Sequence, residues 1–307
     1  MDDDRVPAYY TDAFMLPLPA GHRFPMPKYR RTRARLAAGP WAHRLQFRTP
    51  PAATDDELSA AHDPAYAARV VEGRLQARDL ARLGLPWSAE LVERARRSAG
   101  ATLAASRRAL ASGLGIALAG GTHHARRDAG HGYCVFNDAA VAIRVLQAEG
   151  ALTRAAVLDL DVHQGNGTAL IFSGRPEVLT ISVNEAPAAG RYAHRSDVDI
   201  DLPHGTADAA YLEAVDAALA ELDGPVRPEL VIYNAGADPF QGDLLGQLCV
   251  SASGLGERDR RVFAWCRTRR MPVVVTLGGG YLHDVDLLAG LHALTVETAL
   301  CLAETDA

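Results

Sequence analysis

Five short, almost wholly apolar runs, at 116–119, 155–160, 178–183, 230–234 and 272–277, are spaced by helix-forming stretches at 137–149, 208–222 and 255–269 and followed by another at 286–302. A strand with one face in water alternates apolar and polar residues, whereas a strand covered on both faces reads as a continuous apolar run. Such runs spaced by helices predict an α/β fold: a central parallel sheet flanked by helices on both faces. No internal repeat or low-complexity linker interrupts the pattern, so the 307 residues read as one domain. Stretches 55–69 and 88–110, rich in Ala, Leu, Arg and Glu, predict two more helices. Residues 1–54 carry eight prolines and predict an irregular N-terminal segment packed on the domain, with one strand and one short helix. Its arginine-rich run, 30–35, predicts a solvated helix face, with anion binding as the alternative.

Composition excludes several function classes. A net charge of -5 is wrong for an overall basic nucleic-acid binder. The cations are almost all arginine, with Lys28 the single lysine, and this preponderance reads as coding bias rather than function. Cys134, Cys249, Cys266 and Cys301 form no C-x-x-C pair, so neither a disulfide framework nor a cysteine zinc site is expected, and reduced thiols predict a cytoplasmic protein. The start, Met1-Asp2-Asp3-Asp4-Arg5, lacks the apolar core of a secretory leader. No apolar run is read as approaching the roughly 18 residues that span a bilayer, so no membrane partner is expected. The oligomeric state is not readable.

The unusual polar residues fall where the strands end, which is where open α/β sheets bind ligands. Gly120-Gly121-Thr122-His123-His124 follows the first run, and Asp161-Val162-His163-Gln164-Gly165-Asn166-Gly167 the second. Ala235-Gly236-Ala237-Asp238 and Gly278-Gly279-Gly280-Tyr281 follow the last two. Alternate residues of an extended segment point the same way, so Asp161 and His163 can face one cation, with Asp238 as a third ligand from another strand end. Two carboxylates and an imidazole with an open position suit a catalytic divalent ion, zinc foremost and iron(II) also compatible. Taken alone, Asp161-x-His163 would equally suit a hydrogen-bonded loop. His123 and His124 offer proton transfer near neutral pH, with Asp159 and Asn166 placed to orient the two imidazoles. Tyr281, after three glycines, can lend its hydroxyl to a developing oxyanion. The plain alternatives are a hydrogen-bonded histidine pair and a tyrosine capping the core.

These segments, with Gly132-Tyr133-Cys134-Val135-Phe136-Asn137-Asp138, resemble the zinc-dependent histone deacetylase family, including its acetoin-utilisation-type and acetylpolyamine amidohydrolase members, in order and spacing over roughly residues 9–300. The Gln-Gly-Asn-Gly ending and the compact length look most like the class IV-like branch. The resemblance implies an arginase/deacetylase-like α/β fold and hydrolysis of an N-acylated amine, typically acetyl-lysine. It implies one zinc on Asp161, His163 and Asp238, and His123 and His124 as the acid/base pair, with Asp159 behind His123. It also implies Tyr281 as the catalytic tyrosine, Gly132 and Tyr133 as the wall of a substrate tunnel, and a potassium site at Asp159 with a serine like Ser182.

Two departures from the family pattern bear on chemistry. Asn166 stands where many members carry an aspartate behind the second histidine, which predicts a lower pKa for His124. Within 184–195 the second tunnel aromatic has no evident counterpart; Ala189 or Tyr192 would take its place, so acyl-chain preference stays open. Protein lysine, polyamine and small-molecule amides all remain compatible substrates, and a long-chain deacylase is a further alternative. A dinuclear manganese ureohydrolase would need a carboxylate two residues after His163, where Gly165 stands. A non-catalytic binder of acylated amines would have no use for the histidine pair and the tyrosine.

Overall fold

Eight strands form one all-parallel sheet in the order β2-β1-β3-β8-β7-β4-β5-β6. They are β1 (Val6–Tyr9), β2 (Leu45–Arg48), β3 (Leu114–Ala117), β4 (Ala155–Asp159), β5 (Val178–Glu185), β6 (Val198–Leu202), β7 (Val231–Asn234) and β8 (Val273–Thr276). The computed structural model describes residues 5–187 and 194–304, so Ala189 and Tyr192 lie outside the described residues.

The apolar runs behave as doubly covered strands. Ala156 and Leu158 of β4, Val231 and Tyr233 of β7 and Val273 and Val275 of β8 enter one core, and the alternate residues Val157, Ile232 and Val274 enter the other. The first core is closed by α1 (Pro27–Ala38), α8 (Asp208–Glu221), α9 (Ala252–Thr268) and α10 (Val285–Glu304), through residues such as Leu36, Tyr211, Leu255 and Leu288. The second is closed by α2 (Asp55–Ser59), α3 (Pro64–Val71), α4 (Ala77–Leu83), α5 (Ala89–Ser112), α6 (Asp138–Ala148) and α7 (Asn166–Phe172), through Leu58, Tyr66, Leu83, Leu91, Val141 and Phe172. Chain order runs outward from β4 through β5 to β6, then returns to β7 on the other side of β4 and continues to β8. The β4/β7 boundary is therefore a topological switch point, where the strand-end loops diverge and leave a crevice.

Several expectations need correction. The N-terminal segment is part of the sheet: it supplies β1, β2 and the 12-residue α1, and β1 pairs with both β2 and β3. Pro7 lies inside β1, paired with Gln46, and a proline there argues against a strand when read in isolation. Stretch 55–69 is two helices, because Pro64 starts a new one and Asp63 caps it, its Oδ1 accepting the Ala65 N–H at 2.7 Å. β3 begins two residues before the apolar run, and β6, with Asp199 and Asp201 alternating along an edge, was not foreseen. By length and composition a 19-residue stretch of α10, Val285–Ala303, is apolar enough to cross a membrane, contrary to expectation. Here it is a core helix: Leu288, Leu291, Val296 and Leu300 are buried. The 30–35 run lies on α1, where Arg30, Arg31 and Arg35 are exposed and Arg31 pairs with Asp286, as a solvated face should be.

One buried group makes stability depend on pH. His62 is 1% exposed; its Nδ1–H donates to the Arg126 carbonyl at 2.9 Å, and Nε2 accepts the Asn137 N–H at 2.9 Å. Burial lowers its pKa from 6.5 to about 4. Below its ordinary pKa the unfolded chain takes up a proton that the folded chain refuses. The contribution is therefore complete above about pH 6.5 and is lost as pH falls toward 4. Its size is on the order of 3 kcal/mol. His62→Gln is expected to flatten the fall in thermal stability between these pH values, and an unchanged pH slope in the variant would contradict this.

Candidate active site

Three of the four strand-end segments, those after β3, β4 and β8, line a cavity of about 260 Å³, and the fourth, after β7, brings the buried Asp238 to within 3.3 Å of His163 at its wall. His123, His124, Gly132, Tyr133, Asp161, His163 and Tyr281 line it together with Lys28 and Leu245. The sheet builds this convergence directly, since β7 is hydrogen-bonded to β4 on one side and β8 on the other.

Asp161, His163 and Asp238 present ligand atoms that all lie within 4.8 Å of one another. His163 Nδ1 is 3.1 Å from Asp161 Oδ1 and 3.3 Å from Asp238 Oδ2. Asp161 and Asp238 are 1% and 0% exposed, yet Asp238 Oδ2 has no hydrogen-bond partner among the described residues. A buried carboxylate oxygen with only the 3.3 Å approach of His163 Nδ1 and no well-formed hydrogen bond is costly, and a cation shared with Asp161 and His163 would satisfy it. The charges agree. Burial, then the neighbouring Asp161, push the Asp238 carboxyl up to about 7. Burial also opposes charge on Asp161, but His123 and His163 hold it well below the usual carboxylate range. On His163, Asp161 and Asp238 outweigh burial and hold the ring well above its ordinary value. Two oxygens and one imidazole nitrogen form a donor set fitted to a single divalent ion. Gly279 is required beside it, because a Cβ there would overlap both carboxylates, and its N–H donates to Asp161 Oδ2 at 2.7 Å.

The two histidine rings lie tilted at 45° with centroids 4.1 Å apart but have opposite electrostatics. His123 Nδ1–H donates to Asp159 Oδ2 at 2.7 Å, and Asn234 Nδ2–H holds the other carboxylate oxygen at 2.8 Å. Burial opposes charge on His123, but Asp159 and Asp161 prevail and raise it to about 9. His124 Nδ1–H donates to Asn166 Oδ1 at 3.1 Å. Its pKa is driven well below the ordinary value, first by burial and then by the charge of His123 and His163. The direction is the one Asn166 predicted, but the main cause is burial, and the Asn166 bond opposes it slightly. The two adjacent rings are thus pushed in opposite directions, His123 toward holding its proton and His124 toward shedding it, an arrangement able to pass protons. Gly120 and Gly121, at φ 90° and 67°, turn the chain from β3 into the pair. Asp138 fixes that turn by accepting the Thr122 N–H at 2.7 Å.

Tyr281 faces the same cavity, its ring centroid 6.5 Å from His163 and 6.0 Å from Tyr133. Burial, then the charges of Asp161 and Asp238, hold its phenol well above the usual range, so it remains a donor. Tyr133 adopts φ 66°, uncommon for a side chain of its size, with its N–H on the Leu83 carbonyl at 2.7 Å. Gly132 precedes it at φ 51°, against the His124 ring. Ser182 is paired in register with Asp159 across β4 and β5.

Sequence reasoning missed three residues here. Lys28 is 2% exposed: its Nζ donates to the Gly278 carbonyl at 3.0 Å and to the Gly280 carbonyl at 3.5 Å, 5.6 Å from the Tyr281 ring centroid. Its singularity in the composition was the available signal. Asn234, the last residue of β7, and Asp243 had no such signal.

The histone deacetylase domain pattern matches residues 22–296. An uncharacterized protein of Picosynechococcus sp. is 38% identical over 288 residues, covering 94% of this chain and 96% of its own. Acetoin utilization protein AcuC of Bacillus subtilis is 32% identical over 255 residues, 76% of this chain and 65% of its own. Acetylpolyamine amidohydrolase of Burkholderia pseudomallei is 36% identical over 172 residues, 52% of this chain and 48% of its own length.

Proposed function

This chain belongs to the histone deacetylase family, and from that membership we propose that it is a zinc-dependent amidohydrolase that removes an acyl group, acetyl foremost, from an N-acylated amine. The observation that carries the reading is the convergence on one cavity of the Asp161–His163–Asp238 cluster, the His123–His124 pair and Tyr281. When bound, the metal supplies Lewis-acid polarisation of the scissile carbonyl and of the attacking water. His124, neutral and buried, takes the proton from that water. Tyr281 donates its hydroxyl to the oxyanion as it forms. His123, cationic through Asp159, stabilises charge beside it, and the pair returns a proton to the leaving amine. Gly132 and Tyr133 flank the path of the acyl-amine stem. Ser182, beside Asp159, supports a potassium site behind His123. Residues 1–307 would act as one deacetylase domain, since the N-terminal strands belong to the same sheet.

The substrate would be an acylated lysine, polyamine or small-molecule amide; the similarity to an acetylpolyamine amidohydrolase supports including polyamines in that range. The test is release of free amine from matched N-acetyl and longer N-acyl lysine peptides, polyamines and small amines. Metal-dependent release, strongest with acetyl, is expected. Tight binding of the panel without any release would overturn the reading in favour of a binder.

A further inference from the structure

We propose that Asp243 is a positioning residue that fixes Tyr281 for the reaction by gripping its backbone; this rests on the reading of Tyr281 as the oxyanion donor. Asp243 is 9% exposed and lies in the loop that leaves β7, beyond Asp238. Its Oδ1 accepts the N–H groups of Leu245 at 2.8 Å and Gly246 at 3.0 Å, closing its own turn. Its Oδ2 reaches across 38 residues of sequence to accept the Tyr281 N–H at 2.6 Å. The adjacent Leu244 N–H donates to the Tyr281 carbonyl at 3.0 Å. Two consecutive residues of the β7 loop thus hold both backbone polar groups of the tyrosine.

The grip has a physical reason. Tyr281 follows Gly278-Gly279-Gly280, which have no side chains to anchor them, and Gly280 sits at φ 138°, a conformation other residues rarely adopt. A side chain at the end of such a run needs its anchor from elsewhere. The Ala237 N–H holds the Gly279 carbonyl at 2.9 Å. One loop therefore sets the place of the Asp238 carboxylate and, through Asp243, the place of the phenol that works opposite it. A misplacement of about 1 Å in such a group is enough to cost roughly 10²-fold in rate.

Asp243→Asn separates this role from a general structural one. The amide oxygen keeps the bonds to Leu245 and Gly246, while the NH₂ faces the Tyr281 N–H, donor against donor. Turning the amide over would lose two bonds in place of one. The experiment compares metal-loaded wild type, Asp243→Asn, Tyr281→Phe and the double variant. It measures turnover of a fluorogenic acetyl-lysine peptide, Kd for a trifluoromethyl ketone whose hydrate mimics the tetrahedral species, metal content and melting temperature. Asp243→Asn is expected to lower turnover and weaken the ketone about 10–100-fold with metal content unchanged, and to weaken the ketone less than about twofold in the Tyr281→Phe background. Equal losses in both backgrounds, or no loss in the wild-type background, would overturn the positioning role alone. Tyr281→Phe without effect on turnover or ketone affinity would overturn the reading of Tyr281 itself and this role with it. Should Asp243→Asn not fold, Asp243→Ser serves: its hydroxyl can keep the local turn but is too short to reach Tyr281, and the same pattern is expected.

Discussion

Tyr281→Phe is expected to lower kcat about 10²–10³-fold while the protein keeps its metal and its melting temperature. The anchors of Tyr281 are its backbone bonds and its ring contacts, none of which uses the hydroxyl, so removing it leaves the resting structure intact. The ring stays packed against Tyr133 and beside His163, and the backbone stays on Asp243 and Leu244. What is lost is a donor that matters only when the carbonyl oxygen gains charge, so kcat should fall more than KM changes. Steady-state kinetics with metal analysis on the same preparation checks this. Near-wild-type kcat in a fully metallated variant would remove Tyr281 from the chemistry.

The second large effect concerns the cation. Asp161→Ala is expected to weaken metal binding by more than about 100-fold, since changes to residues merely supporting metal ligands already cost about 10–100-fold. Competition with a chelating dye measures it without any turnover. Asp161 also accepts the His163 and Gly279 N–H groups at 3.0 and 2.7 Å, so Asp161→Asn, which keeps an acceptor, is the partner variant. Both should lose metal, and a melting curve should show both folded. Wild-type metal affinity in either would show that Asp161 is no ligand.

The legible part of this molecule was the part buried on both sides. β4, β7 and β8 announced themselves because no residue on either face meets water. β2 and β6 are edge strands with polar residues facing out, and β1 contains Pro7; their strand character comes from neighbours that the local sequence does not name. The same division runs through the site. Asp161, His163, Asp238, His123, His124 and Tyr281 were readable because each follows a strand end, and the topology carries strand ends to one edge. Lys28 was not, because a lysine in the first turn of a helix is ordinarily solvated, and only the packing of α1 against α10 turns it toward Gly278. Asp243 was not, because its partner is 38 residues away in a loop with no regular structure. The low pKa of His124 was foreseen through Asn166, yet burial, which depends on the assembled fold, is its main cause.

The most direct measurement is the metal stoichiometry of purified protein, followed through chelation and reloading alongside amine release. One zinc per chain is expected, with loss of amine release when it is stripped and recovery when it is restored. Two metal ions per chain, or amine release indifferent to a chelator that leaves none, would contradict this.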